Sequence, residues 1–270
     1  MATLVFSTQK PESITALYVF GDSLSDVGTV FRATGGLYPP NPPYFQGRYS
    51  NGQVWVEYLA NRLQLAPNQT HNFAYGGATT TNDQNSLVPG LLTQVQTFLK
   101  TQPKLRATDL CVLWAGANDY LQGTTNSKVP VENVTTAIAQ LVAVGAQTFL
   151  VANLPDLGRL PSTRISSTAA NLTQLTQSHN QTLRRSLKQL NQQYPDLQIA
   201  TLDAGTLYHN AIAKPTEFGF RNVTSACLEG SRVCSNPEQF LFWDGIHPTT
   251  AAHRQLSEAA FSAMQTAGVF

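Results

Sequence analysis

The sequence predicts an α/β fold of parallel strands joined by crossover helices, on two observations. Five short apolar runs rich in β-branched and aromatic residues recur along the chain, and they alternate with longer stretches whose apolar residues return at helical spacing. The chain has 270 residues, 42% of them hydrophobic, which is enough to bury a large core without a second domain.

The first run, Thr15–Phe20, reads as a strand that stops at Gly21-Asp22-Ser23, and Leu24-Ser25-Asp26-Val27-Gly28 reads as the opening turn of a helix. Gly35–Gly52, rich in Gly, Pro, Tyr and Asn, is a surface loop. Val54–Leu63 follows as a helix with Trp55, Tyr58, Leu59 and Leu63 on one face. Strand two is expected at Asn72–Tyr75 and a helix at Leu91–Leu99. The third strand, Leu110–Ala115, contains Cys111 as a core residue. A helix over Val131–Val144 is opened by Pro130 and Glu132 and closed by Gly145. Beyond strand four, Thr148–Ala152, the longest helix spans Thr168–Leu190. Its apolar stripe includes His179, expected as a packed or rim residue rather than a ligand. Strand five is Leu197–Leu202. Gly219–Pro237 is a second loop, in which Cys227 and Cys234 suit a small disulfide in an oxidising compartment or, alternatively, two free thiols. Thr250–Ala267 is the last helix.

Seventeen Lys and Arg balance sixteen Asp and Glu, and no basic stripe appears, so the composition argues against a nucleic-acid surface and favours a small-molecule partner. Only 12% of residues are charged, which with the cysteine pair leans toward a secreted or periplasmic setting and leaves the compartment unassigned. No apolar run approaches the ~18 residues that span a bilayer, and Met1–Thr15 lacks the basic-then-apolar pattern of a signal peptide. Asn-X-Ser/Thr triplets at Asn68, Asn133, Asn171, Asn180 and Asn222 occur at about the frequency chance gives.

Ser23 sits where a strand gives way to a turn, the position at which unsatisfied N–H groups favour developing negative charge. By itself this is more commonly the pattern of a helix cap by Asp22, Ser23 or Ser25. Near the other end, Asp244-Gly245-Ile246-His247-Pro248 places a histidine three residues after an acid that can orient it. Gly245 is expected to permit the tight turn and Pro248 to start the next helix. A metal pair is disfavoured because no second cluster has ligand spacing. Oxyanion donors are expected at Gly76-Gly77, where a bare backbone N–H can approach a substrate, and at Asn118 in Gly116-Ala117-Asn118-Asp119.

Together these blocks resemble the GDSL, or SGNH, hydrolase superfamily. The matching segments are Val19–Asp26, Asn72–Thr79, Gly116–Tyr120 and Asp244–Thr249. Gly47–Gly52, Asn153–Gly158 and Phe242-Trp243-Asp244 add similarity to its longer lipase and phospholipase-like branch. The resemblance implies a flavodoxin-like three-layer α/β/α sandwich around about five parallel strands, with residues 1–270 as one hydrolase domain. It implies Ser23 as nucleophile, His247 as base and Asp244 as its partner, with the oxyanion held by the Ser23 N–H, the Gly77 N–H and the Asn118 side chain. No metal or organic cofactor is implied. The α/β-hydrolase elbow fits less well, since Gly21-Asp22-Ser23-Leu24-Ser25 lacks its last glycine and lies on the first strand.

The expected reaction is hydrolysis of a carboxylic ester of a small acyl or lipid substrate. The alternatives are an acyltransferase using the same acyl-enzyme, a carbohydrate O-acetylesterase, and a silent lipid- or glycan-binding protein. The aromatic loop Tyr38–Tyr49 is either a wall for an acyl chain or packing. Arg48 and Asp26 are expected to fix loops, and Asp119 to hold the loop that carries Asn118.

Overall fold

Each central strand is apolar on both faces, and only a sheet covered on both sides accommodates that. In the computed structural model, which describes residues 13–83, 86–101 and 103–270, the first strand β1 (Ala16–Gly21) sends Leu17 and Val19 to one core and Tyr18 and Phe20 to the other. Most of the amino-terminal stretch considered for a leader, Met1–Glu12, lies outside the described residues.

Helix α1 (Thr29–Ala33) and helix α2 (Trp55–Arg62) follow, then β2 (Thr70–Asn72), α3 (Leu91–Leu99) and β3 (Asp109–Trp114). After α4 (Ala117–Leu121) and α5 (Lys128–Val142) come β4 (Thr148–Ala152), α6 (Ala169–Gln193), β5 (Gln198–Leu202) and α7 (Ala204–Ala213). The five strands form one parallel sheet in the order β2-β1-β3-β4-β5, in register through Leu17↔Thr70, Leu17↔Leu110, Leu110↔Thr148 and Thr148↔Gln198. In β3, Leu110, Val112 and Trp114 face the first core and Cys111 and Leu113 the second.

One core packs Trp55, Val56 and Leu59 of α2 against Leu256, Ala260 and Met264 of the last helix, α8 (Thr250–Thr266). The other packs Val95 and Phe98 of α3 against Val134, Ile138 and Leu141 of α5. Helix α6 serves both, with Leu172 and Leu175 in the first and Leu183, Leu187 and Leu190 in the second. This is the α/β/α sandwich with five parallel strands that the sequence led us to expect.

Several boundaries differ from expectation. Strand β2 ends at Asn72, because the Asn72 side chain turns back on the chain: Oδ1 accepts from the Ala74 N–H at 3.0 Å and Nδ2 donates to the Ser25 carbonyl at 2.8 Å. Phe73 and Tyr75 still donate to Val19 and Gly21 of β1 at 2.8 and 3.1 Å. Helix α5 starts at Lys128, and Pro130 falls within its first turn, where a missing N–H leaves no bond unmade. No helix begins at Ser23. Residues 22–26 make a single turn, and α1 starts only at Thr29.

The region before α8 carries further short strands beyond the five expected. β6 (Asn222–Ala226) pairs in parallel with a later strand, β9 (Phe240–Phe242), and between them β7 (Leu228–Glu229) and β8 (Arg232–Val233) form an antiparallel ribbon. Cys227 and Cys234 are joined by a disulfide across that ribbon, and Cys111 is a buried free thiol. No helix among the described residues is long and apolar enough to cross a membrane.

Candidate active site

β1 ends against its neighbour, and the chain must turn at once. Asp22 makes the turn: its carbonyl accepts from the Ser25 and Asp26 N–H groups, both at 3.1 Å, and its Oδ1 accepts from Leu24 at 3.0 Å. These bonds use the N–H groups of Leu24, Ser25 and Asp26, whereas that of Ser23 has no partner among the described residues. Asp22 is itself 1% exposed, and burial pushes its carboxyl up to about 7, against the opposing pull of the Leu24 N–H and His247. From α3, the buried Gln94 amide grips Gly21 on both sides, accepting from its N–H at 2.9 Å and donating to its carbonyl at 2.8 Å. Ser23 is thus held on a fixed end of β1.

The acid and the histidine share a short return. Phe242 bridges Pro248, and the Trp243 N–H donates to the His247 carbonyl at 2.8 Å, so residues 244–247 form a closed loop. Gly245 has ordinary backbone angles in this loop. A Cβ there would stand 3.1 Å from the Ser162 Cβ, so clearance rather than conformational freedom favours glycine. Pro248 closes the bridge, and α8 is started instead by Thr249, whose Oγ1 accepts from Ala252. Asp244 Oδ1 accepts from the Ile246 and His247 N–H groups at 2.8 and 2.7 Å, and Oδ2 lies 2.7 Å from His247 Nδ1. Burial acts to raise the Asp244 carboxyl, but His247 and the two N–H groups outweigh it and hold it well below the usual carboxylate range. His247 Nε2 lies 2.9 Å from Ser23 Oγ.

Two neighbouring loops complete the site. The N–H of buried Gly76 donates to Asp26 Oδ2 at 2.9 Å, and a Cβ there would fall 2.2 Å from the Tyr49 hydroxyl. Gly77 is exposed with φ +82°, and its N–H has no partner among the described residues. Of the glycine pair, only Gly77 has a free donor. Asn118, in α4, donates through Nδ2 to the Ala78 carbonyl at 2.9 Å, which leaves its second N–H free. Asp119 holds that loop, accepting from the Thr80 N–H and hydroxyl at 2.9 and 2.6 Å. Because β2, β1 and β3 are adjacent, the loops bearing Gly77, Ser23 and Asn118 emerge side by side at the carboxyl ends of the strands. Ser23 and Asn118 open on a small cleft with Leu121, Pro155, Leu157 and Leu160 as apolar walls.

In the aromatic loop Tyr44 and Tyr49 are packed, whereas Tyr38 and Phe45 are exposed. Tyr49 lies against the His247 ring at 5.1 Å and Tyr44 against Trp243 at 6.3 Å, and neither lines the cleft. Arg48 fixes this loop through Glu57 of α2 at 2.7 Å, and Ser50 donates to the Pro248 carbonyl at 2.9 Å. Asp26 ties the turn after Ser23 to Gly76 and to the start of α1. Sequence reasoning missed Gln94, which reads as the polar side of α3. It also missed Tyr44, whose hydroxyl donates to Asp244 Oδ2 at 2.7 Å. No three His, Cys, Asp or Glu side chains among the described residues cluster so as to hold a metal.

A family model described as GDSL-like Lipase/Acylhydrolase matches residues 17–260. The chain belongs to this family. It is a carboxylic ester hydrolase of the GDSL type, a family to which a serine triad and an oxyanion hole are general. Among relatives of this GDSL hydrolase, a phosphatidylcholine-sterol acyltransferase of Aeromonas hydrophila is 30% identical over 96% of this chain and 93% of its own length. The GDSL esterase/lipase APG of Arabidopsis thaliana is 28% identical over 91% of this chain and 90% of its own. Among solved structures, the carbohydrate acetylesterase Est24 of Sinorhizobium meliloti matches with a TM-score of 0.56, covering 94% of this chain and 99% of its own. At 15% identity that likeness is one of fold.

Proposed function

We propose that this GDSL hydrolase cleaves acyl esters by a two-step transfer through Ser23. His247 Nε2 takes the hydroxyl proton as Ser23 Oγ attacks the ester carbonyl, and Asp244 keeps the ring oriented and balances its positive charge. The tetrahedral oxyanion sits among the N–H of Ser23, the N–H of Gly77 and the second N–H of Asn118. Collapse passes the proton from His247 to the departing alkoxide and leaves an acyl-enzyme. Water, deprotonated by the same His247, then releases the acid and regenerates Ser23.

The observation that carries this reading is the unbroken path from Ser23 Oγ to His247 to Asp244, at 2.9 and 2.7 Å, beside two backbone N–H groups that nothing else uses. The apolar walls of the cleft support an acyl chain or another apolar ester group as the part bound there. The 30% identity to an acyltransferase supports a second outcome of the same acyl-enzyme, in which an alcohol replaces water. Mass spectrometry of the native protein treated with a fluorophosphonate is expected to show one adduct, on Ser23. Ser23→Ala is expected to remain folded, take no adduct and lose p-nitrophenyl ester hydrolysis. An active Ser23→Ala variant would remove Ser23 from the nucleophile role. Products formed with and without added sterol separate transfer from hydrolysis.

A further inference from the structure

Asp244 accepts four hydrogen bonds, and one of them comes from outside its own loop. Two backbone N–H groups occupy Oδ1. The other oxygen, Oδ2, is shared between His247 Nδ1 and the hydroxyl of Tyr44, each at 2.7 Å. Tyr44 arrives from the loop before α2, 200 residues away in sequence. Its ring is wedged edge-on between Trp243 at 6.3 Å and Tyr49 at 6.4 Å, in a small cluster that also contains the Cys227–Cys234 disulfide. The phenol is therefore directed at Asp244 by packing on both sides.

We propose that Tyr44 is a positioning residue of this site, which steers the Asp244–His247 pair by donating to the carboxylate oxygen that His247 faces. The inference rests on the roles of Ser23, His247 and Asp244 proposed above. Two physical effects follow. The O–H restrains the carboxylate so that Oδ2 stays aimed at Nδ1, and it draws negative charge from Oδ2, so Asp244 grips a protonated His247 less tightly. Burial, followed by the Asp244 charge, pushes the Tyr44 phenol above its usual range, so it remains a donor wherever the enzyme works. The other groups around the pair are Ser23 at Nε2, the Tyr49 ring on the His247 face, Asp22 on the turn after β1 and His253 on α8. None of them touches Asp244 Oδ2, so a change at Tyr44 reads on that oxygen.

The test is the pH profile of p-nitrophenyl butyrate hydrolysis by Tyr44→Phe. We expect kcat to fall roughly three- to tenfold with KM changed by less than about twofold. We also expect the acid limb of kcat/KM to move to higher pH by about half a unit. Site-specific replacement of Tyr44 by a fluorotyrosine, a stronger donor of nearly the same size, should move that limb the other way. This second variant also carries the test if Tyr44→Phe fails to fold. Superimposable profiles for both variants, or a change confined to KM, would overturn the proposal. Fluorophosphonate labelling separates the two levels: no adduct on Ser23 of the native protein defeats the site reading itself, whereas an adduct with unmoved profiles defeats only the role of Tyr44.

Discussion

The side chain whose removal is most informative is Asn118. Its Nδ2 spends one N–H on the Ala78 carbonyl, which fixes the amide, and leaves the other free for the oxyanion of the proposed mechanism. Asn118→Ala is expected to lower kcat by about 10²–10³ with KM little changed, since the lost donor matters mainly when charge develops. Its cost in stability should be only about 1 kcal/mol, the bond to Ala78. Steady-state kinetics beside a urea melt would show the two effects apart. A loss of kcat matched by an equal loss of folded protein would assign Asn118 to structure alone. Ser23, Gly77, Asn118, Asp244 and His247 are legible in sequence because each lies in a short block with its own turn chemistry. Tyr44 is not, because nothing local distinguishes it from Tyr38 or Tyr49, and its partner is 200 residues distant. Gln94 is hidden for a related reason: a polar residue on an amphipathic helix reads as solvated until the end of a strand is found beside it.

Among the elements, legibility followed length and periodicity. Helix α3 spans the expected Leu91–Leu99, and β4 the expected Thr148–Ala152, because buried strands and amphipathic helices of that length carry their pattern within themselves. Helices α1 and α4, at five residues each, are too short to show a period. The ribbon β7–β8 is visible only through its cysteines, and it bears directly on the site. Cys227 and Leu228 donate to the Phe242 and Trp243 carbonyls, the two residues that precede Asp244. The bridge closes a loop of sequence separation 7, for which chain entropy gives about 2.5 kcal/mol of stabilisation. Replacing both cysteines by serine should therefore lower the melting midpoint by about 5 °C. A reductant should lower the native midpoint similarly and leave that of the double variant unmoved. Equal sensitivity of the two proteins to reductant would remove the bridge from the account.

On the scale of the whole molecule, the two cores meet along α6, and the residue at their seam is a histidine. His179 lies between Leu175 of one core and Leu183 of the other, fully buried, with Nδ1 2.8 Å from the Tyr120 hydroxyl of α4 and no partner for Nε2 among the described residues. The sequence leaves it a packed or a rim residue of the stripe; the fold buries it fully, and burial lowers its pKa to about 4. Because the folded value lies below the ordinary 6.5, the fold favours the neutral ring. The associated stability is complete above pH 6.5 and is lost as pH falls through about 4, amounting to roughly 3 kcal/mol. Asp22 has the opposite sign. Its carboxyl is raised to about 7, so its stability is complete below the ordinary carboxylate value and is lost as pH rises through 7. Between pH 4 and 7 the two slopes oppose, and single substitutions should separate them. His179→Gln, whatever it costs at neutral pH, should be less destabilising at pH 4.5 than at pH 7.5 by roughly 2 kcal/mol. Asp22→Asn should show the reverse ordering, more destabilising at pH 4.5 than at pH 7.5. Denaturant melts of both variants and the native protein at the two pH values decide this. A His179→Gln cost independent of pH would mean that the seam between the cores admits enough water to charge the ring without penalty.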